Sequence, residues 1–158
     1  RHISISTCGV IEGIERFSHE PEQFTLAVSL HAARQSTRDL LMPRVARYKL
    51  PDLKQALMRY VKETNRRVTL EYVMIDNVHD TDRDLEALNA FCSDLLCHVN
   101  LIPINAVEGS PFQPSDPLVL DQWVQSIQSH GKEATVRDSR GSDIDGACGQ
   151  LKRTKCFT

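Results

Sequence analysis

The chain has 158 residues, of which 41% are hydrophobic and 25% charged; that balance suits one globular domain with a real core and excludes a disordered polypeptide. The formal net charge of -2 leaves no global positive field, so a nucleic-acid partner would have to be met by local basic patches. No apolar run approaches the roughly 18 to 20 residues of a membrane helix and no signal peptide opens the sequence, so the cytoplasm is the expected setting and a membrane partner is not expected.

Arg1 stands directly before a strand-like run at residues 2–6, which marks the sequence as an expected piece of a longer protein. A short helix is predicted over residues 11–17 and a second strand over residues 24–30. A helix near residues 36–41 ends at Pro43, since the residue before a proline is pushed out of helical backbone. Pro51 then fits the first turn of a helix whose buried face is Leu53, Leu57, Tyr60 and Val61. The run 68–75 reads as a strand. Thr81 or Asp82 can cap the helix after it, with the stripe Leu85, Leu88, Phe91, Cys92 and Leu95. A strand at 99–104 precedes a helix capped by Ser115 or Asp116, with Pro117 in its first turn. Leu120, Trp123, Val124 and Ile127 form the buried face of that helix, and Gly131 stops it. Residues 134–137 form the last predicted strand.

Strands rich in apolar and β-branched residues, joined by helices, predict an α/β fold with a parallel sheet. The sheet is either open and doubly wound or an arc of a barrel, and five strands are too few to close an eight-stranded one. In both arrangements ligands bind at the C-terminal strand ends. Ser6 and Thr7 stand there, as helix caps or as ligand contacts, and so do Ser29, Leu30 and His31, the histidine being a turn residue or a site residue. Asn105, before Gly109 and Pro111, is a turn residue or a site residue by the same reading. Glu71 falls in the middle of a strand, where an unpartnered carboxylate is costly; it calls for an ion pair with an inward-facing arginine or for a ligand.

Of the five cysteines (Cys8, Cys92, Cys97, Cys148 and Cys156), none forms a CxxC or CxxxCxxC motif, and the odd count speaks against a secreted disulfide framework. Cys92 and Cys97 read as buried thiols on one helix. Cys148 sits between small residues, Gly146, Ala147 and Gly149, with Arg137 and Arg140 nearby to favour a thiolate; it is a structural loop residue or a reactive one. Arg34, Arg38, Arg44, Arg47 and Lys49 form one basic stretch and Lys152, Arg153 and Lys155 another, either solvated surface or phosphate contacts with a folded RNA.

Taken in order, Ser6-Thr7-Cys8-Gly9, Leu26-Ala27-Val28-Ser29-Leu30-His31-Ala32, Arg38-Asp39-Leu40-Leu41-Met42-Pro43, Val68-Thr69-Leu70-Glu71-Tyr72-Val73-Met74, Asn100-Leu101-Ile102-Pro103-Ile104-Asn105 and the segment ending Ala147-Cys148-Gly149-Gln150-Leu151 resemble the radical-SAM 23S rRNA adenine methyltransferases. The resemblance covers nearly the whole chain. It implies that residues 1–158 are the C-terminal portion of a partial TIM-like radical-SAM barrel, with the cluster motif upstream of Arg1. It implies S-adenosyl-L-methionine and a 4Fe-4S cluster as cofactors, with Ser6, Ser29, Leu30, His31 and Asn105 binding the former and no metal ligand in this chain. Cys148 would be the catalytic residue, carrying the methyl group as S-methylcysteine and leaving in a disulfide with an upstream cysteine. The implied partners are 23S rRNA, possible additional tRNA substrates, and an electron donor such as flavodoxin or ferredoxin. Carbon 2 of adenine is favoured over carbon 8 because that activity is the more widespread in the family. The alternative is a non-catalytic truncated half-barrel or RNA-binding fragment. His79 stands where the family usually has Asn, Ala106 where it has Pro, and Arg44-Val45-Ala46-Arg47 replaces a more typical Ile-Asn-Lys-Lys.

Overall fold

Alternation along the strands decides which face of the sheet is covered. In the computed structural model, which describes residues 3–105 and 111–137, β3 (Val68–Met74) buries Val68, Leu70, Tyr72 and Met74 and leaves Thr69, Glu71 and Val73 partly open. β4 (Cys97–Pro103) repeats the pattern with Cys97, Val99 and Leu101 inward. With β1 (Ser4–Thr7), β2 (Thr25–Ser29) and β5 (Glu133–Val136) they make one sheet, parallel throughout, in the order β1-β2-β3-β4-β5. Register keeps the buried residues in step: Leu26 lies beside Val68, Val68 beside Cys97 and Val99 beside Ala134.

Strand order settles the choice left open by the sequence. A doubly wound sheet reverses direction at a switch point and carries helices on both faces; here every strand pairs with its neighbours in sequence. Right-handed crossovers then place all connecting helices on one side. The core cluster joins the inward strand residues to Ile14, Leu53, Leu57, Tyr60, Leu88, Phe91, Leu120, Trp123 and Ile127 from the helices. The fold is thus an arc of a barrel with helices outside and a polar face where the lumen would be.

The helices are α1 (Ile11–Phe17), α2 (Gln35–Leu41), α3 (Leu50–Thr64), α4 (Asp82–Cys92) and α5 (Pro117–Ser129), with a 3-10 turn at Pro43–Val45. Pro51 and Pro117 occupy first turns as expected. Thr81 caps α4 and Asp116 caps α5, its carboxylate accepting from the Leu118 amide at 2.8 Å. One expectation is corrected: Cys92 and Cys97 do not share a helix, because α4 ends at Cys92 and Cys97 opens β4. The two thiols meet across that turn; the hydrogen bond to Cys97 and burial push the Cys92 thiol up, so it stays protonated. Among the described residues no helix is long and apolar enough to cross a membrane.

Candidate functional site

The polar residues singled out in the sequence gather at the C-terminal edge of the sheet. Ser6 is exposed on β1, level with Ala27. Thr7 does the capping: its Oγ1 accepts from the amides of Gly9 at 3.2 Å and Val10 at 3.3 Å, shaping the turn into α1. The two readings of Ser6 and Thr7 therefore divide by residue, leaving the Ser6 hydroxyl on the open face. Gly9 has φ +88°, and a Cβ there would come within 3.0 Å of Arg38 Nη2 and 3.1 Å of Leu53 Cδ2. That close approach lets the fully buried Arg38 donate from Nη2 to the Cys8 carbonyl at 2.8 Å. Arg38 is the support behind the β1 turn and is no part of a surface patch.

Three others of the first basic stretch have partners within the fold, while Arg44 is exposed. Arg34 pairs with Asp84 at 3.2 Å, Arg47 lies 4.7 Å over the Tyr48 ring, and Lys49 reaches Asp39 at 3.4 Å. Arg38 thus fits neither reading of that stretch, surface charge or phosphate contact, while Arg44, Arg47 and Lys49 remain exposed.

At the end of β2 the backbone turns through His31, which is in the left-handed region at φ 55°. The Leu30 and His31 amides both donate to the Glu71 carbonyl at 3.0 Å, and the Leu30 carbonyl accepts from Ala32 at 2.7 Å. The Leu30 side chain is in the core, so what that residue offers a ligand is backbone. The His31 ring takes the place of a strand residue that is no longer there: its Nδ1 accepts from the Val73 amide at 3.2 Å. The carbonyl of Val73 meets His79 Nε2 at 2.6 Å. Two imidazoles thus stitch the end of β3 from either side. Burial lowers His31 to about 4, with the charges of His79 and Arg38 acting in the same direction. Desolvation likewise lowers the fully buried His79. With Nδ1 accepting, the His31 hydrogen sits on Nε2, which is the nitrogen left to donate.

Glu71 lies beside Ser29 in register on the open face. Its Oε2 accepts from Asn100 Nδ2 at 3.0 Å; the partner is this asparagine, where an arginine was one expectation. Asn105 follows β4 at the same edge, half-buried, just after Ile104, whose amide reaches the Met74 carbonyl at 3.3 Å. Cys148 lies outside the described residues, as do Ala106, Arg140, Cys156 and the second basic stretch.

Ser6, Ser29, His31 and Asn105 are therefore brought to one edge, with Glu71 beside them. Sequence reading missed Asn100 and the structural part played by His79. Asn100 was hidden because its relation to Glu71 depends on register, which no local signal reports. Clefts between α1 and α3 (Ile14, His19, Arg59), between α4 and α5 (Leu85, Asn89, Ser126) and at the opposite strand ends (Phe24, Arg66, Arg67) contain none of these residues. Hydroxyls at Ser6 and Ser29, a donor at His31 and a carboxylate at Glu71 fit a nucleoside cofactor, whose sugar and base edges need such partners. They do not fit a metal cluster: among the described residues no three His, Cys, Asp or Glu side chains are placed to hold a metal.

No family model matches the chain. A probable dual-specificity RNA methyltransferase RlmN from Moorella thermoacetica is 47% identical over 152 residues, which is 96% of this chain and 43% of that protein. The protein of the same description from Clostridium perfringens is 39% identical over 154 residues, 98% of this chain and 44% of its own. Among solved structures, a radical SAM methyltransferase from Sphaerobacter thermophilus superposes with a TM-score of 0.90 at 47% identity, over 94% of this chain and 43% of that one. A domain of pyruvate-formate lyase-activating enzyme from Bacteroides vulgatus shares the fold at TM-score 0.67 and 15% identity, over 87% of this chain and 81% of that one. The chain spans less than half the length of the RNA methyltransferases it matches.

Proposed function

We infer that the chain, which belongs to the radical SAM RNA methyltransferases and corresponds to their C-terminal part, supplies the methyl-carrying portion of the barrel in an enzyme acting on adenine of 23S rRNA. The matched relatives are described as dual-specificity RNA methyltransferases, which supports tRNA as a second substrate. Carbon 2 is the preferred position over carbon 8. The setting is the cytoplasm, where an electron donor such as flavodoxin or ferredoxin is at hand.

One observation carries the reading. β5 runs parallel to the other strands and the Arg137 amide still bonds the Leu101 carbonyl at 2.8 Å, so the chain leaves the sheet at the edge where Ser6, Ser29, His31 and Asn105 stand. At up to roughly 3.3 Å per residue, the residues between Arg137 and Cys148 give that sulfur ample reach over the site.

Bound S-adenosylmethionine, together with a cluster held by the upstream part of the protein, supplies an electrophilic methyl group and, after one-electron reduction, a radical that abstracts hydrogen. Ser6, Ser29 and Asn105 hold the cofactor by side-chain hydrogen bonds, Leu30 through its backbone and His31 through Nε2–H. The Cys148 thiolate takes the methyl on sulfur, forming the C–S bond as the methyl–sulfonium bond breaks. Sulfur suits each later demand: it stabilises a neighbouring carbon radical after hydrogen loss, and it leaves by thiol–disulfide exchange. Once the transferred carbon is joined to the adenine, an upstream thiolate would form the S–S bond as the C–S bond breaks, the electron pair passing to the transferred carbon, which takes a proton to become the methyl group of the base.

The test uses the full-length parent. Mass spectrometry of the Cys148 peptide from cell-made protein should show a methyl group on that sulfur, and Cys148→Ala should abolish RNA methylation with the cluster spectrum intact. Unmethylated Cys148, together with an active Cys148→Ala variant, would refute the role.

A further inference from the structure

Glu71 was the residue hardest to explain from sequence, and the proposed mechanism does not use it. It stands in a row on the open face: Ser29, Glu71, Asn100 and Thr135 are register partners across β2, β3, β4 and β5. The row is hydrogen-bonded in one direction. Thr135 Oγ1 donates to Asn100 Oδ1 at 3.4 Å, which turns the Asn100 amide so that Nδ2 donates to Glu71 Oε2 at 3.0 Å. His98 Nε2 lies 2.8 Å from Thr135 Oγ1. Behind it His98 Nδ1 faces Glu133 at 3.5 Å, and Glu133 is paired with Arg67. Two side chains, Asn100 from β4 and Thr135 from β5, are therefore arranged to hold one carboxylate oxygen.

The other oxygen, Oε1, has no partner among the described residues. Glu71 is fixed by one oxygen, is only partly buried on the open face, and stands in register beside Ser29 at the edge that carries Ser6 and His31, so its second oxygen is accessible to a ligand. Asn100 holds Glu71 by a neutral amide, so its negative charge is not neutralised by a cation and remains fully available as an acceptor.

We propose that Glu71 is a ligand-binding residue of this site, its Oε1 accepting hydrogen bonds from the vicinal hydroxyls of the cofactor ribose, with Asn100 and Thr135 as positioning residues. The match is one of donor count. A carboxylate oxygen next to a serine hydroxyl, which can donate and accept, complements a vicinal diol, and an acidic side chain on a strand is a common solution for ribose hydroxyls in other nucleotide-binding sheets. The inference rests on the proposed S-adenosylmethionine site and adds a contact to it.

Binding can be read without turnover, using S-adenosylhomocysteine and its 2′-deoxy and 3′-deoxy forms on the full-length parent by calorimetry. Glu71→Gln should weaken S-adenosylhomocysteine about tenfold or more, at least one good charged hydrogen bond, while the loss for each mono-deoxy form is smaller, since one of the two hydroxyl contacts is already absent from it. Asn100→Leu should give part of the same loss and leave the melting temperature within a few degrees of wild type, because the open face is outside the core. A wild type that binds S-adenosylhomocysteine alongside an equally tight Glu71→Gln sinks the ribose assignment alone. Deoxy forms weakened as much as the parent ligand sink it too. A wild type that binds no S-adenosylhomocysteine brings down the cofactor site and this contact together.

Discussion

At the scale of single residues, His31 shows how a side chain flagged as ligand or turn residue can be both. Its φ of 55° ends β2, and its Nδ1 takes the Val73 amide that the strand can no longer reach. That geometry requires a neutral ring, and burial lowers His31 to about 4 and lowers His79 as well. The sign follows directly. Below about pH 6.5 the unfolded chain takes up protons that the folded chain refuses, so stability is complete above that value and declines as pH falls toward 4. For the full-length parent, denaturant unfolding should give about 2 kcal/mol less stability at pH 5 than at pH 7.5 from His31, with His79 adding in the same direction. His31→Asn should remove its own share of that loss and leave the smaller slope from His79: its Oδ1 can accept from Val73, asparagine tolerates the left-handed region, and it does not titrate. Identical pH slopes in wild type and variant would show that His31 is not held neutral. Sequence placed His31, Ser6, Ser29 and Asn105 correctly at strand ends, because strand ends are set by local pattern. It misread Arg38 as surface charge, because burial of a guanidinium depends on Gly9 and the Cys8 carbonyl, which are thirty residues away in the chain.

Among the elements, the helices were the more legible. Pro51, Thr81, Asp116 and Pro117 are start signals whose chemistry is local, and each stands in the first turn or cap expected. The turn between α4 and β4 was not legible: its apolar residues continue the helical stripe through Leu95, while the backbone has already left the helix at Cys92. Asp84 links elements in a way no pattern announces. It exchanges hydrogen bonds with the Thr81 cap and receives Arg34 from the loop after β2, while itself 1% exposed. Asp84→Ala removes half of a capping box and strands Arg34, with an expected cost of about 2–3 kcal/mol by equilibrium unfolding. Asp84→Asn keeps the cap acceptor and should lose less than half of that; equal losses would mean that the Arg34 pair adds little.

For the molecule as a whole, the parallel α/β class could be read from strand and helix alternation, but not the arc, because a doubly wound sheet uses the same elements in another order. The arc matters for the metal. Among the described residues none groups as a metal site, and the cysteines at 92 and 97 are buried thiols. Anaerobic reconstitution of this chain alone with iron and sulfide should therefore leave no stoichiometric iron and no charge-transfer absorption in the visible, whereas the full-length parent should show both. A cluster on the isolated chain would overturn the assignment of its ligands to the upstream part.

The strand order also bears on how the molecule assembles as it is made. Among the described residues each strand pairs only with its neighbours in sequence, so these strands need no distant partner within the sheet, and each new helix closes onto a sheet already begun. Contacts of modest sequence separation favour fast folding, and synthesis delivers the units in the order in which they pair. The sheet can grow strand by strand behind the ribosome, with β5 closing onto an edge already built.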